Sequence, residues 1–338
     1  MPNCGSQIIL CGLPVRFDTY SGCSHACKYC FVQRKNDISD IETKESAESL
    51  LNFIQGKRTA ETNWCDWDIP LHWGGLSDPF QPAEKTKRRS LECLKVFAET
   101  QYPFVVSTKG KLIIEPEYLE LIQKCNCVVQ ISMVCSKYDI LEQGAPTFEK
   151  RLEMVKTLSP LVPRVIVRFQ PYLTEVLSDV LECIPRIKDA GAYGIAVEGM
   201  KFAKKKPGLV KVGADFCYPE KQLKSHFDAI KEACHKAGLK FYCAENRLRS
   251  MGDSLVCCGI DGLPGFIPNE FNLCHIANGA VVEPTERMKM VGTAACFKAL
   301  EQTSLSTEKI KNSSFADYLG KYYSNRKKTI EEMFGRKR

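Results

Sequence analysis

No apolar run in the 338 residues approaches the roughly 18 needed to cross a bilayer, so a membrane-spanning protein is not expected. The start, Met1-Pro2-Asn3-Cys4, also lacks the charged stretch followed by an apolar one that marks a secretory leader, and the expected compartment is the cytoplasm. Compositional bias is missing too. Hydrophobic residues at 44%, charged residues at 26%, 22 Gly and 17 Pro exclude collagen-like, disordered and low-complexity classes. No internal repeat is found. Charge of one sign does not dominate: 47 Lys and Arg against 40 Asp and Glu leave +7, which suits an anionic partner without requiring one.

Cysteine is what the chain has in abundance. A cytosolic protein keeps its thiols reduced and has no use for a disulfide framework, so 18 cysteines point to metal or redox chemistry.

Strand-like apolar runs at residues 71–73, 104–107, 128–133, 165–169, 193–197 and 240–242 alternate with helical patterns. Leu177, Val180, Leu181, Ile184 and Ile187 recur at three- and four-residue steps, as one face of a helix requires, and residues 46–53 and 89–98 read similarly. Alternation in units of about 30 residues predicts an α/β fold, a parallel sheet wound as an open or partial barrel. The pattern weakens near residue 240. The expected division is a barrel core over 1–240 and a cysteine-bearing extension with a basic tail over 241–338.

The segment Gly22-Cys23-Ser24-His25-Ala26-Cys27-Lys28-Tyr29-Cys30-Phe31 has the spacing C-x3-C-x2-C and follows a strand candidate at 15–20. Three thiolates so spaced can hold three corners of an iron–sulfur cube and leave the fourth iron without a protein ligand. Zinc is the structural alternative. A closed zinc site wants four ligands, and the extra candidate, His25, lies inside the spacing.

The loop, with an aromatic before its last cysteine, resembles the signature of radical S-adenosylmethionine (SAM) enzymes. Tyr20-Ser-Gly-Cys-Ser-His-Ala-Cys-Lys-Tyr-Cys-Phe31, Gly74-Gly-Leu-Ser-Asp-Pro-Phe-Gln-Pro82, and Glu142-Gln-Gly-Ala-Pro146 followed by Arg151-Leu152 resemble the spore photoproduct lyase-like branch. The resemblance covers about residues 10–200. It implies a partial (β/α)6 barrel and a [4Fe-4S] cluster on Cys23, Cys27 and Cys30. It also implies reductive cleavage of SAM to a 5′-deoxyadenosyl radical that abstracts hydrogen from a substrate, with a flavodoxin or ferredoxin as electron donor. Tyr29 would pack beside the cluster and shield it.

Gly74-Gly75 ends a strand, where residues without Cβ let a ligand ammonium approach backbone carbonyls; alone, such a pair marks a simple turn. Coupled to the cysteine loop, Gly74 and Gly75 are assigned to the SAM amino group, and Ser77 in the same turn is counted with the cofactor site. Ser132 and Arg168 fall near the carboxyl ends of later strands, where such barrels place active sites, and the resemblance puts them near the SAM ribose and carboxylate. Their alternatives are strand hydrogen bonding and a salt bridge. Glu198 would face the same cavity, or serve as a structural partner. In the lesion-splitting enzymes a hydrogen-donating cysteine precedes a Thr-Ser-Asp stretch; the aligned residue here is Gly75, which cannot donate. Cys135 could substitute from the next strand end, or be a small buried hydrophobe.

Cys243, Cys257, Cys258 and Cys274, with Cys296 further on, could ligate a second [4Fe-4S] cluster or a zinc ion, or be scattered thiols. Cys4, Cys11, Cys65, Cys93, Cys125, Cys127, Cys183, Cys217 and Cys234 have no partner at ligand spacing.

Lys201, Lys204, Lys205 and Lys206, with a tail carrying Tyr318, Tyr322, Tyr323 and several Lys and Arg, could hold a nucleic acid or be a solvated face. The leading expectation is a radical SAM enzyme acting on nucleic acid. The alternatives are action on a small molecule or peptide, and a non-catalytic iron–sulfur sensor or adaptor, against which Gly74-Gly75 argues.

Overall fold

A computed structural model describes residues 1–3, 10–33, 39–57 and 69–281. In chain order the elements are β1 (Arg16–Phe17), α1 (Ala47–Ile54), β2 (Leu71–Trp73), α2 (Glu84–Lys87), α3 (Arg89–Thr100), β3 (Phe104–Thr108), α4 (Pro116–Ile122), β4 (Cys127–Met133), α5 (Phe148–Leu158), β5 (Arg164–Tyr172), α6 (Leu177–Asp189), β6 (Gly194–Gly199), β7 (Lys201–Phe202), β8 (Val210–Val212), β9 (Asp215–Cys217), α7 (Glu220–Lys236), β10 (Lys240–Cys243) and α8 (Leu273–Ala277), with short 3₁₀ turns between. Each predicted strand after the first appears with nearly its expected bounds. The first is shorter, and the antiparallel trio β7-β9-β8 carried no recognised signal.

Seven strands form one sheet in the order β1-β2-β3-β4-β5-β6-β10, every pairing parallel. Each strand lies beside its predecessor in the sheet, so the wall winds in one direction and stays open at β1 and β10. This is an α/β partial barrel. Local signals are consistent with it: Ser46 caps α1 by accepting from Ser49 N, Thr147 caps α5 by accepting from Lys150 N, and Pro116 opens α4.

The period-two alternation of strands sorts side chains to two faces. Val106, Val129, Ile131, Val167 and Ile195 face the helices and pack with Phe97, Val155, Ile184 and Phe227. The opposite face begins apolar, with Val105, Val128, Ile166, Ala196 and Tyr242, and is covered by Leu13, Val256, Cys258, Ile260 and Phe266. The expected boundary at 240 falls inside this unit. Strand β10 crosses it, and residues 256–266 supply part of the packing on the sheet's inner face. None of the helices in the described residues is long and apolar enough to cross a membrane.

Candidate functional site

The cysteine loop follows β1 and is clamped by the other two sequence blocks. On its approach, Tyr20 donates to Glu84, whose carboxylate also accepts from Ser90 N and Leu91 N at 2.9 Å, and so ties the chain to the start of α3. Gln81, fully buried, accepts from Ser24 N at 2.7 Å and donates to Gly22 O at 2.9 Å. The ring of His25 reaches Gly144 O at 2.9 Å and Asp78 Oδ2 at 3.1 Å, while Gly144 N donates to His25 O at 3.1 Å. Lys28 N donates to Leu141 O at 2.8 Å and Tyr29 donates to Glu142. Both nitrogens of His25 are thus engaged, and the zinc alternative loses its fourth ligand.

Two buried carboxylates anchor this clamp. Asp78 accepts from Thr108 Oγ1 at 2.7 Å, Lys109 N at 2.6 Å and Phe80 N at 2.9 Å. Burial alone would raise its pKa, but His25 and these donors hold it at about 2. Glu142 pairs with Arg151 at 2.6 Å and lies 3.7 Å from Lys109 Nζ. Arg151, fully buried, also donates to Ser132 O at 2.9 Å, and burial, the largest influence on Glu142, is outweighed by Lys109 and Arg151. These residues carry the motif resemblance in the sequence; their role as a buried ionic buttress has no local signal there.

In the clamped loop Cys27 is buried, and Cys23 and Cys30 are half-buried. Burial, then Asp78, pushes the Cys23 thiol up to about 12, and burial also raises Cys27. The three thiols lie within residues 23–30 of that one loop. Three cysteines at C-x3-C-x2-C spacing on one clamped loop are a donor set that suits a cube with one open corner.

Gly74 needs to be glycine. Its φ is +85°, and a Cβ would collide with the Ser107 carbonyl and stand 2.9 Å from Pro79 Cδ. Gly75 is different: a Cβ there would lie 3.4 Å from Arg16 Cδ. Asp18 fixes the turn by accepting from Leu76 N at 2.9 Å and Ser77 N at 3.2 Å, and burial raises its pKa to about 6. Ser77 is buried, and its Oγ has no partner among the described residues. An orphaned hydroxyl beside a glycine turn fits a polar ligand there.

Beyond the apolar part of the inner face, a polar ladder crosses the strands. His72 meets Ser107 Oγ at 3.0 Å, Ser107 donates to Gln130 Oε1 at 2.9 Å, and Arg168 Nη1 donates to the same oxygen at 2.8 Å. Arg168 lies 3.9 Å from Glu198, which also takes hydrogen bonds from Gln170 and Lys201. Burial would raise the pKa of Glu198, but Lys201 and Arg168 lower it. Ser132 sits opposite Arg168 in the register. The ladder gathers Ser132, Arg168 and Glu198 near one end of the sheet, with His72, Ser107 and Gln130, which the sequence does not single out because isolated polar residues in strands carry no spacing signal.

Cys135 is not on this face. It belongs to the helix-side core with Tyr172 and Cys183, and burial pushes its thiol up to about 12. Packing accounts for it. The basic residues Lys204, Lys205 and Lys206 are exposed on the β7–β8 connection just past β6, whereas Lys201 is engaged with Glu198. Cys4, Cys65, Cys296 and the tyrosines of the tail lie outside the described residues. Among the described residues no three Cys, His, Asp or Glu side chains are gathered around a single-ion site.

No family model matches the chain. Uncharacterized proteins of Mycobacterium tuberculosis and Mycobacterium bovis are 26% identical over 204 residues, covering 56% of this chain and 59% of theirs. The chain therefore spans less than two thirds of the curated relatives it matches. Among solved structures, a spore photoproduct lyase mutant with bound AdoMet and dinucleoside spore photoproduct superposes with a TM-score of 0.54 at 14% identity, over 68% of this chain and 76% of that one. A second mutant of the same lyase gives the same TM-score at 15% identity. The chain has the fold of that lyase, an α/β sheet of parallel strands open at both edges, as the sequence resemblance implied.

Proposed function

We propose that the protein is a radical SAM enzyme, with Cys23, Cys27 and Cys30 holding a [4Fe-4S] cluster and the turn at Gly74, Gly75 and Ser77 receiving the amino end of SAM. The observation that carries this reading is the clamp: Gln81, Asp78 and Glu142, from two distant blocks, grip the three-thiol loop at Ser24, His25 and Tyr29. Held by these three cysteines, such a cluster would supply the one-electron chemistry for reductive cleavage of SAM. The chain's own part is to bind and orient. Ser132, Arg168 and Glu198 lie in the polar ladder, where a guanidinium and a carboxylate can meet SAM's carboxylate and hydroxyls. Tyr29, held by Glu142, covers the loop against water. A flavodoxin or ferredoxin is the proposed electron donor, and the cytoplasm the proposed compartment.

The proposed substrate is a nucleic acid. Exposed Lys204, Lys205 and Lys206 project just beyond β6, close in sequence to Glu198 and Lys201, and such a rim suits phosphates. Lesion reversal through a cysteine at position 75 has no support, since Gly75 stands there.

Anaerobically reconstituted, reduced protein should convert SAM to 5′-deoxyadenosine, and Cys→Ala at 23, 27 or 30 should lower this at least about a thousandfold, a loss of about 4 kcal/mol in transition-state stabilisation. Unchanged cleavage in any of the three rejects the assignment; an intact cluster without cleavage would favour a sensor. A DNA or RNA oligomer should raise the cleavage rate in a salt-sensitive way. Absence of that stimulation points to a small-molecule or peptide substrate.

A further inference from the structure

A second set of thiols converges far along the chain from the first, around a buried cation without a carboxylate. Arg249 is 7% exposed. Its Nη2 donates to Asn246 Oδ1 at 2.6 Å and Ala244 O at 3.2 Å, its Nε has no partner, and among the described residues it forms no ion pair. A buried guanidinium left uncompensated is strongly unfavourable, so counter-charge has to come from its surroundings. Those surroundings are cysteines: burial disfavours the charge on Arg249, and Cys257, Cys274, Cys243 and Cys11 act against that burial. They come from four separate segments: the strip before β1, the end of β10, the loop before residue 266, and α8. Cys274 Sγ lies 3.7 Å from Asn246 Oδ1, the oxygen that Arg249 itself uses, and Cys11, Cys257, Cys258 and Arg249 line one small cavity. His275 lines it too but adds no charge, because burial and Arg249 hold its pKa at about 4.

One thiolate would neutralise one guanidinium; four thiols drawn from four segments answer a larger demand. A [4Fe-4S] cube on four thiolates carries a net charge of about −2, which a single buried Arg offsets in part. A tetrahedral zinc, with Zn–S near 2.3 Å, needs its sulfurs gathered around one ion, and no such group exists among the described residues. A cube holds its ligands farther apart, at its corners.

We propose that Cys11, Cys243, Cys257 and Cys274 bind a second [4Fe-4S] cluster with Arg249 as its charge partner. Cys258 also lines the cavity, but it is a buried member of the apolar inner-face cluster with Leu13 and Ile260, whereas Cys11 and Cys257 only pack against that cluster, and it is left outside the set. Its carbonyl accepts from Gln130 Nε2 at 3.4 Å, and Gln130 also binds Arg168, so the second cluster would adjoin the polar ladder. On assembly each S–H bond is replaced by an Fe–S bond and its proton leaves to solvent. Ferrous and ferric iron and sulfide come from the reconstitution mixture, and no cysteine sulfur changes oxidation state. The proposal uses no property of the first loop or of SAM.

The test therefore removes the first loop. Full-length protein carrying Cys23→Ala, Cys27→Ala and Cys30→Ala is reconstituted anaerobically with iron and sulfide, and iron, sulfide, zinc and the electron paramagnetic resonance spectrum are measured. About four irons and four sulfides per chain are expected, with a reduced-cluster signal. On that background Cys11→Ser should lower the iron or convert the signal to that of a three-iron centre, and Cys258→Ser should change neither. Cys11 lies outside the main core, so its variant is readable even if Cys257→Ser or Cys274→Ser fails to fold. Less than one iron in the triple variant, zinc in place of iron, or iron lost with Cys258→Ser and kept with Cys11→Ser overturns the proposal. Failure of SAM cleavage by the wild type affects only the function proposed above.

Discussion

Gly74 and Gly75 are neighbours that the sequence treats alike and the backbone does not. Gly74→Ala forces a Cβ onto the Ser107 carbonyl at a φ of +85° and should destabilise the protein by about 1–3 kcal/mol. Gly75→Ala meets only the flexible Arg16 side chain and should leave the denaturation midpoint nearly unchanged. Equal losses in chemical denaturation would contradict this reading of the turn. Also at residue scale, His72 is held to a pKa of about 3 by burial, then by repulsion from Arg168 and Arg16. Its folded pKa lies below the unfolded value of about 6.5, so the unfolded chain binds the extra proton between these limits. This contribution to stability is full above pH 6.5 and falls as pH drops toward 3. The stability of wild type relative to His72→Gln should therefore fall from pH 7.5 to pH 5, and a difference that stays constant over that range would contradict the assignment. Asp18 tilts the other way over its own range, its pKa being raised by burial, but it is common to both proteins and drops out of the comparison.

Among the elements, the 3₁₀ turn and loop that precede α5 act as a brace. Glu142 links Tyr29 in the cysteine loop to Arg151 on α5, and Arg151 reaches the end of β4 through Ser132 O. Removing one partner of a buried pair leaves the other uncompensated, at about 3–5 kcal/mol. Arg151→Met should thus lower stability by that order, as urea denaturation would read, and a drop under about 1 kcal/mol would mean the brace is dispensable. Much of this was legible in part. The blocks around Gly74 and Glu142 stood out by resemblance, and α1, α3 and α6 by periodicity. That both blocks grip one loop could not be read, because Glu142 and Tyr29 are 113 positions apart. Cys135 marks the converse failure: its position just after β4 suggested the cavity, but the pleat at the strand end directed its thiol to the helix side.

For the whole molecule, the segment after β10 works as part of the barrel. Val256, Cys258, Ile260 and Phe266 cover Val105, Val128 and Ile166 on the inner face. A chain ending at 251 should expose that apolar surface and be insoluble or bind a hydrophobic dye, whereas one ending at 281 should remain soluble; equal solubility would show that the covering is not needed. The same segment brings Cys257 and Cys274 to Arg249, so cover and thiol cluster are one construction.

The sequence by itself determined the parallel α/β wall, because periods of two and of three to four are local properties of the chain. It also determined the three-thiol loop, because C-x3-C-x2-C is a local spacing within residues 23–30. Only the tertiary structure decided which thiols meet around Arg249, which carboxylates brace the loop and which polar residues share the inner face. Most of those pairings join residues distant in the chain, as Glu142 and Tyr29 are at 113 positions, brought together by the burial of apolar surface, and no local pattern records it.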